Sequence, residues 1–168
     1  MLDRLFLNYS VDKLRQLEGR IKVCLDKLTF EQIWWRGSGE QNAIGNMVLH
    51  LSGNVRQWLL TGVGGDADAR DRDAEFSASE SLTGPELAAR LQETMSRTYS
   101  ILTSLPPGRL EERMSVQGFD VSVIEGIYHV VEHFSMHAGQ ILYVTKMLRQ
   151  EDLGFYKFIG SGHRETTP

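Results

Sequence analysis

Three histidines recur at every fourth position in the segment HVVEHFSMHAGQ: His129, His133 and His137. Successive residues of an α-helix are about 100° apart, so a four-residue step nearly completes a turn and the three imidazoles share one face. Apolar residues flank this face on both sides, which predicts that it points into a protein core. A buried imidazole needs a polar partner, because leaving it unpaired costs about 1–3 kcal/mol. A metal ion is one such partner.

Helix geometry allows only one adjacent pair of these histidines to bind the same ion. Imidazoles on neighbouring turns are close enough, because their Cβ atoms lie about 5–6 Å apart. His129 and His137 are about 12 Å apart along the axis and cannot both reach the ion. His133 therefore pairs with either His129 or His137, and spacing leaves both pairs open. A third ligand must come from elsewhere. His163 lies in a polar segment beside two glycines, a poor place for a fixed ligand, and this leaves His50.

The bulk properties exclude several classes of protein. With 168 residues, of which 41% are hydrophobic and 24% charged, the chain fits one globular domain, expected over residues 1–160 with a frayed tail at 161–168. The net charge is −4 and the basic residues are scattered, which argues against a nucleic-acid partner. No apolar run approaches the ~18 residues of a membrane span, and the single cysteine, Cys24, fits a reducing compartment. We expect a cytoplasmic protein without a membrane partner.

Four segments carry apolar residues at helical spacing, and they predict an all-α fold, a four-helix bundle with a packed C-terminal extension. The first helix precedes Thr29 and the second runs from about Ala43 to Thr61. Capping-box sequences start the third helix at Thr83 and the fourth at Ser122. Between these two helices, residues 109–121 have a weak hairpin pattern. Aromatic residues after Gln150 predict the extension.

The second helix carries a polar stripe beside its apolar face. The stripe consists of Asn46, His50, Asn54 and Gln57. We expect Asn46 and Asn54, together with His129 of the last helix, to orient the metal ligands or the substrate. For any one of these residues alone, a polar position at the edge of a packed face is the simpler interpretation. Gly126 lies on the histidine face and is expected to leave room for a substrate.

Residues 62–81 form a long loop between the second and third helices. Its charges alternate in sign over Arg70–Asp73, and the usual interpretation of such a run is a solvated surface. Connections this long are often functional, however. The functional alternative is that Arg70 or Arg72 folds back to hold an anionic substrate near the metal, with Phe76 anchoring the loop.

Three segments together resemble the DinB-like superfamily of four-helix-bundle metalloproteins, in a branch known only as a domain of unknown function. They are NAIGNMVLHLSGNVRQWLLTGVGG, RDRDAEF and HVVEHFSMHAGQI, and the resemblance extends over about residues 5–160. It implies a divalent ion held by His50, His133 and His137, so the resemblance, and not the spacing, favours His137 over His129. Characterised relatives include bacillithiol transferases and a mycothiol-dependent maleylpyruvate isomerase. They imply a low-molecular-weight thiol as a co-substrate.

Three neutral ligands leave a divalent ion its full charge and an open coordination position, as in catalytic zinc sites. The first hypothesis is therefore a metal-dependent transferase or hydrolase acting on a small molecule. Zinc is the expected metal, and nickel or iron are alternatives. No catalytic acid or base stands out, because Glu132 is rotated about 100° away from His133.

The second hypothesis is a non-catalytic, metal-stabilised module for stress-related binding or dimeric assembly, and we expect a homodimer. A third is that core hydrogen bonds satisfy the histidines and no metal binds.

Overall fold

The computed structural model describes residues 1–157 and shows a bundle of four long helices, which confirms the predicted all-α fold. The helices are α1 (Leu2–Lys27), α2 (Phe30–Ile33), α3 (Ile44–Val55), α4 (Arg72–Ser77), α5 (Gly84–Ser104) and α6 (Val123–Arg149). A π-helical segment, Arg56–Val63, continues α3, and a 3₁₀ turn spans Arg109–Glu111. Two short strands, β1 (Arg113–Val116) and β2 (Phe119–Ser122), form an antiparallel hairpin before α6.

The four long helices enclose one core. α1 packs against α5 and α6, and α3 packs against the same two helices, so the four form a closed ring. Each contributes a fully buried side chain, such as Leu14, Leu51, Leu87 and Phe134. Burying a side chain of this size stabilises the fold by about 1.5–3 kcal/mol. This packing fixes α3 against α6, the two helices that carry the histidines.

The predicted capping boxes start the helices. The Thr83 backbone N–H donates to the Glu86 carboxylate at 2.8 Å, and the Ser122 N–H donates to Glu125 at 2.6 Å. These bonds pair groups that a helix start leaves without an intrahelical partner. The cap fixes the residue at which α6 begins, and burial of Val130 and Phe134 fixes which face of the helix meets the core.

The structure differs from expectation at the connection between the second and third long helices and at Gly126. The connection at residues 62–81 contains the short helix α4, and the space expected at Gly126 for a substrate is occupied by the methyl group of Met114, which a Cβ at Gly126 would overlap. The weak hairpin pattern does form a hairpin. It turns at Gln117 and Gly118, both at positive φ, as a two-residue hairpin turn requires.

The described part of the C-terminal extension packs on the bundle as predicted. Leu153 is buried and Phe155 contacts the core. Arg20 of α1 donates to the Tyr156 hydroxyl at 3.1 Å and lies over its ring. Phe158 and the tail predicted at residues 161–168 lie outside the described residues. None of the helices within residues 1–157 is both long enough and apolar enough to cross a membrane.

Candidate metal centre

The structure brings three of the sequence-predicted residues together between α3 and α6. The candidate ligand nitrogens of His50, His133 and His137 all lie within 4.8 Å of one another, and the Nε2 atoms of His50 and His133 are 3.1 Å apart. Two nitrogens that bind one tetrahedral zinc ion are about 3.3 Å apart, since each Zn–N bond is about 2.0–2.1 Å. The spacing of His50 and His133 is close to this value, whereas a spread of 4.8 Å exceeds the limit of about 4.1 Å for two nitrogens on one ion, so all three would reach one divalent ion only after a small side-chain shift.

Hydrogen bonds determine which ring nitrogen of two histidines carries the proton. Nδ1 of His50 donates to the Glu75 carboxylate at 3.1 Å, and Nδ1 of His137 donates to the side-chain oxygen of Gln140 at 2.7 Å. A neutral imidazole has one ring proton, so Nε2 of both rings keeps its lone pair. Both rings thus offer Nε2 as a ligand atom.

His133 is an uncharged imidazole in the middle of the cluster. Burial lowers its pKa to about 3, and the neighbouring histidines and Arg70 act in the same direction. Its Nδ1 is buried without a hydrogen-bond partner among residues 1–157. Metal binding requires a deprotonated imidazole nitrogen, and this ring supplies one at neutral pH. Coordination through the other nitrogen would offset part of the cost of burying the ring.

A buried ion pair between Arg70 and Glu75 contacts the Nδ1 side of the His50 ring. Arg70 donates from Nε to Oε1 of Glu75 and from Nη2 to Oε2, each at 2.8 Å, and from Nη1 to Gln57 at 3.0 Å. Nη2 also lies 3.1 Å from Nδ1 of His50, but both atoms are donors, so their hydrogen bonds go to the carboxylate. Burial opposes the ionisation of Glu75, yet the bonds from Arg70 and His50 outweigh it and hold its pKa below the ordinary value.

Sequence reasoning missed Glu75. The residue follows the alternating charges of Arg70–Asp73, a pattern that indicates a solvated surface, whereas only 8% of Glu75 is exposed. A carboxylate that accepts the Nδ1–H of a histidine fixes the ring and makes its other nitrogen a better ligand. The signal available in the sequence was Gly53, one turn after His50, where the missing side chain leaves the space that Glu75 fills.

Asn46 holds the segment that carries Glu75. Its side-chain N–H groups donate to the backbone carbonyls of Glu75 at 3.0 Å and Ala78 at 2.8 Å, and its oxygen accepts from Arg36 at 2.8 Å. Asn46 is fully buried and shows no contact with the imidazoles among its described hydrogen bonds. Its effect on the cluster is therefore indirect, through the position of α4.

The other three predicted residues do not belong to the three-nitrogen cluster. Asn54 is buried, and its Oδ1 has no hydrogen-bond partner in the described part of the chain. The ring of His129 lies 4.4 Å from Trp58 and 5.6 Å from His133, outside the three-nitrogen cluster. Arg72 places its guanidinium 4.8 Å above the ring of Phe76. Arg70, and not Arg72, reaches the histidines.

One flank of the histidine face is not buried as expected. Met136 and Met147 are 48% and 45% exposed, whereas Val130 and Phe134 on the opposite flank are fully buried. The packing of α6 against α1 and α3 thus leaves this flank open to solvent. The open side gives the cluster access to the surface through His137, which is half-buried.

The fold and the histidine cluster define a helical bundle with a candidate metal centre between two of its helices. The chain belongs to the family described as "Protein of unknown function (DUF1572)", whose sequence model matches residues 2–159.

Two solved structures share the fold. A conserved protein of Enterococcus faecalis superposes with a TM-score of 0.68 at 12% identity, over 84% of this chain and 96% of its own. A DinB-like protein of Bacillus subtilis superposes with a TM-score of 0.66 at 14% identity, over 90% of this chain and 97% of its own. No match was found among curated proteins.

Proposed function

We propose that this protein is a zinc-dependent transferase or hydrolase acting on a small molecule, with a low-molecular-weight thiol as co-substrate. The observation that carries the proposal is the convergence of three imidazoles from two helices, with all candidate ligand nitrogens within 4.8 Å. Bundles of this kind build metal sites from side chains on facing helices. Nickel or iron fits the same ligands, because imidazole binds all three metals.

A divalent ion held by three neutral ligands keeps an open position and its full charge, and it would lower the pKa of a thiol or water beside it. The protein's own groups prepare that position. Glu75 and Gln140 hold the ring protons of His50 and His137 on Nδ1. Phe76 covers the ring of His50, with centroids 4.8 Å apart, and keeps water from that side. Substrate then approaches from the side of His137.

Elemental analysis and two activity probes test this proposal. Protein prepared without a histidine tag or chelating resin is expected to hold about one zinc ion per chain. The zinc form is expected to transfer cysteine to 1-chloro-2,4-dinitrobenzene or to hydrolyse p-nitrophenyl acetate, and removal of zinc should abolish the rate. In the transfer, sulfur bonds to the aryl carbon, chloride leaves and the thiol proton passes to solvent. Failure to bind zinc would contradict the proposal.

Glu75→Gln tests the part of the proposal that concerns orientation of His50. The amide has the same size as the carboxylate but lacks the negative charge that accepts hydrogen bonds from Arg70 and His50. We expect zinc affinity to fall about 10- to 100-fold, as for other outer carboxylates of histidine–zinc sites. Competition with a chromophoric chelator measures the change. Glu132→Gln, an exposed position of α6, is the control and should leave affinity unchanged.

The alternative proposal is a metal-stabilised, non-catalytic module that binds stress-related partners or assembles as a homodimer. Exposed apolar side chains favour it: Leu2, Leu5 and Tyr9 on α1, and Ile124 and Tyr128 on the adjacent α6. A zinc form that is inactive with both probes, sediments as a dimer and unfolds when zinc is removed would support the alternative. Neither the enzymatic nor the non-catalytic proposal includes a nucleic acid or a membrane as a partner.

A further inference from the structure

A cavity of about 470 Å³ opens beside His137. Its walls come from the segment after α2, from α3 and from the last turns of α6. This volume lies within the ~300–1,000 Å³ of typical small-molecule sites. Because His137 belongs both to the cavity wall and to the histidine cluster, a molecule in the cavity lies next to the candidate metal centre.

The cavity wall is apolar and aromatic. Trp35, Tyr143 and Met147 line it and are 39%, 71% and 45% exposed, although each has a large apolar surface. Trp34, the other member of the tryptophan pair, is instead buried and donates to the Leu82 carbonyl at 2.9 Å. Trp34 is thus part of the core, whereas the exposed ring of Trp35 is available to contact a ligand in the cavity.

The polar groups of the wall are uncharged. They include the amides of Gln41, Asn42 and Gln140, and among the described residues that line the cavity none is Asp, Glu, Lys or Arg. The oxygen of Gln140 already accepts from His137, so its NH₂ group is the donor that remains for a ligand. In the metal-free protein, a charged ligand would lose hydration here without gaining a charged partner from the cavity wall.

The loop arginines do not supply that charge. Arg70 is engaged by Glu75 and Gln57, and Arg72 lies over Phe76. Neither residue lines the cavity. The positions of Arg70 and Arg72 therefore do not favour an anionic substrate held by either of them.

We propose that this cavity binds the uncharged aromatic body of the substrate between Trp35 and Tyr143, with its reacting group directed toward His137. The inference rests on the proposed function, because it treats the histidine cluster as the reaction centre. Aromatic rings contribute through offset or edge-to-face contacts with the two side chains, and Gln140 donates to an oxygen on the ligand. The substrate class is a neutral aromatic compound of modest size.

Fluorescence titration of the metal-free protein tests the cavity itself. The probes are 4-nitrobenzyl alcohol and 4-nitrobenzoate, two tryptophan quenchers of similar shape that differ in charge. We expect saturable quenching by the alcohol and binding at least about tenfold weaker for the carboxylate.

A matched pair of tyrosines on α6 provides the control. Tyr143→Ala is expected to weaken binding of the alcohol about threefold to tenfold, whereas Tyr128→Ala should leave it unchanged. Both residues are exposed, at 71% and 64%, and only Tyr143 lines the cavity, so both variants should fold. Equal affinities for the two probes, or equal effects of the two variants, would overturn the inference. So would a wild-type dimer that Tyr143→Ala converts to a monomer, since the patch would then be a subunit contact.

A second experiment, thiol binding to the cobalt-substituted protein, distinguishes an error in the substrate class from an error in the proposed thiol chemistry. In the cobalt-substituted protein, binding of a thiol gives a sulfur-to-cobalt absorption band. Benzyl mercaptan is expected to produce this band at lower concentration than 3-mercaptopropionate, which carries a carboxylate. If neither thiol produces the band while the metal-free protein still prefers the neutral probe, the thiol chemistry is wrong and the cavity assignment stands. If both thiols bind equally well, the thiol chemistry stands and the substrate class is wrong.

Discussion

His133→Ala is expected to lower zinc affinity by more than about 100-fold. Loss of a group that only orients a ligand costs about 10- to 100-fold, and loss of a ligand costs more. The central position of His133 makes the effect large, because its ring lies within 5.0 Å of the His50 ring and 4.6 Å of the His137 ring, between centroids. The remaining two histidines cannot hold the ion in a three-ligand arrangement. Competition with a chromophoric chelator measures the affinity.

His129→Ala is the matched control for this experiment. His129 lies one turn earlier on α6 and is half-buried like His133, but its ring packs on Trp58 and not on His50. Burial lowers its pKa as it does that of His133, so the two variants remove similar neutral rings. Zinc affinity should change little in this variant. Equal losses of zinc affinity in the two variants would show that zinc does not bind at the cluster of His50, His133 and His137.

The helices of this protein could be predicted from local sequence because their signals are local. Apolar spacing predicts all four long helices, and the capping-box sequences at Thr83 and Ser122 predict two of their starts. The π-helical segment Arg56–Val63 and the short helix α4 gave no comparable signal. Their conformations depend on contacts with distant parts of the chain, such as the bonds from Asn46 to the carbonyls of Glu75 and Ala78.

The candidate site was predictable only in part for a similar reason. Helical spacing showed that His133 pairs with a neighbour but could not choose between His129 and His137, since both lie one turn away. The choice depends on where α3 crosses α6, and the structure places His50 between His133 and His137, with ring centroids 5.0 and 5.1 Å away. Only the family resemblance pointed to the same set.

Local sequence patterns do not identify Glu75, because its partners come from α3 and from the loop before α4. A glutamate in an alternating run of charges is ordinarily solvated. Here the carboxylate is buried by a glycine on α3, paired by Arg70 from the loop and bonded to His50. None of these partners lies within four residues of Glu75, so no helical or turn pattern relates them.

Gly53→Ala is therefore expected to disrupt the site through a single methyl group. A Cβ at Gly53 would overlap Oε1 of Glu75, and the carboxylate would have to leave its bonds to Arg70 and His50. Overpacking costs about 1–3 kcal/mol and breaking a buried ion pair costs about 3–5 kcal/mol, while alanine regains about 1 kcal/mol of helix propensity. We expect a net loss of at least about 3 kcal/mol in the free energy of unfolding. Urea denaturation of the metal-free protein measures it.

The same substitution in the other histidine helix should have the opposite sign. Gly139 of α6 is exposed and has no atom within 4 Å of the position that a Cβ would take, so Gly139→Ala should stabilise the protein by up to about 1 kcal/mol. Both glycines lie in helix interiors, so helix propensity alone would stabilise both variants. Opposite changes in the free energy of unfolding would therefore have to come from the contact with Glu75. Gly53→Ala should also weaken zinc binding by about tenfold or more, since Glu75 no longer orients His50. If both alanines stabilise the protein equally, α4 is not packed against α3 as the structure shows, and the role assigned to Glu75 fails with it.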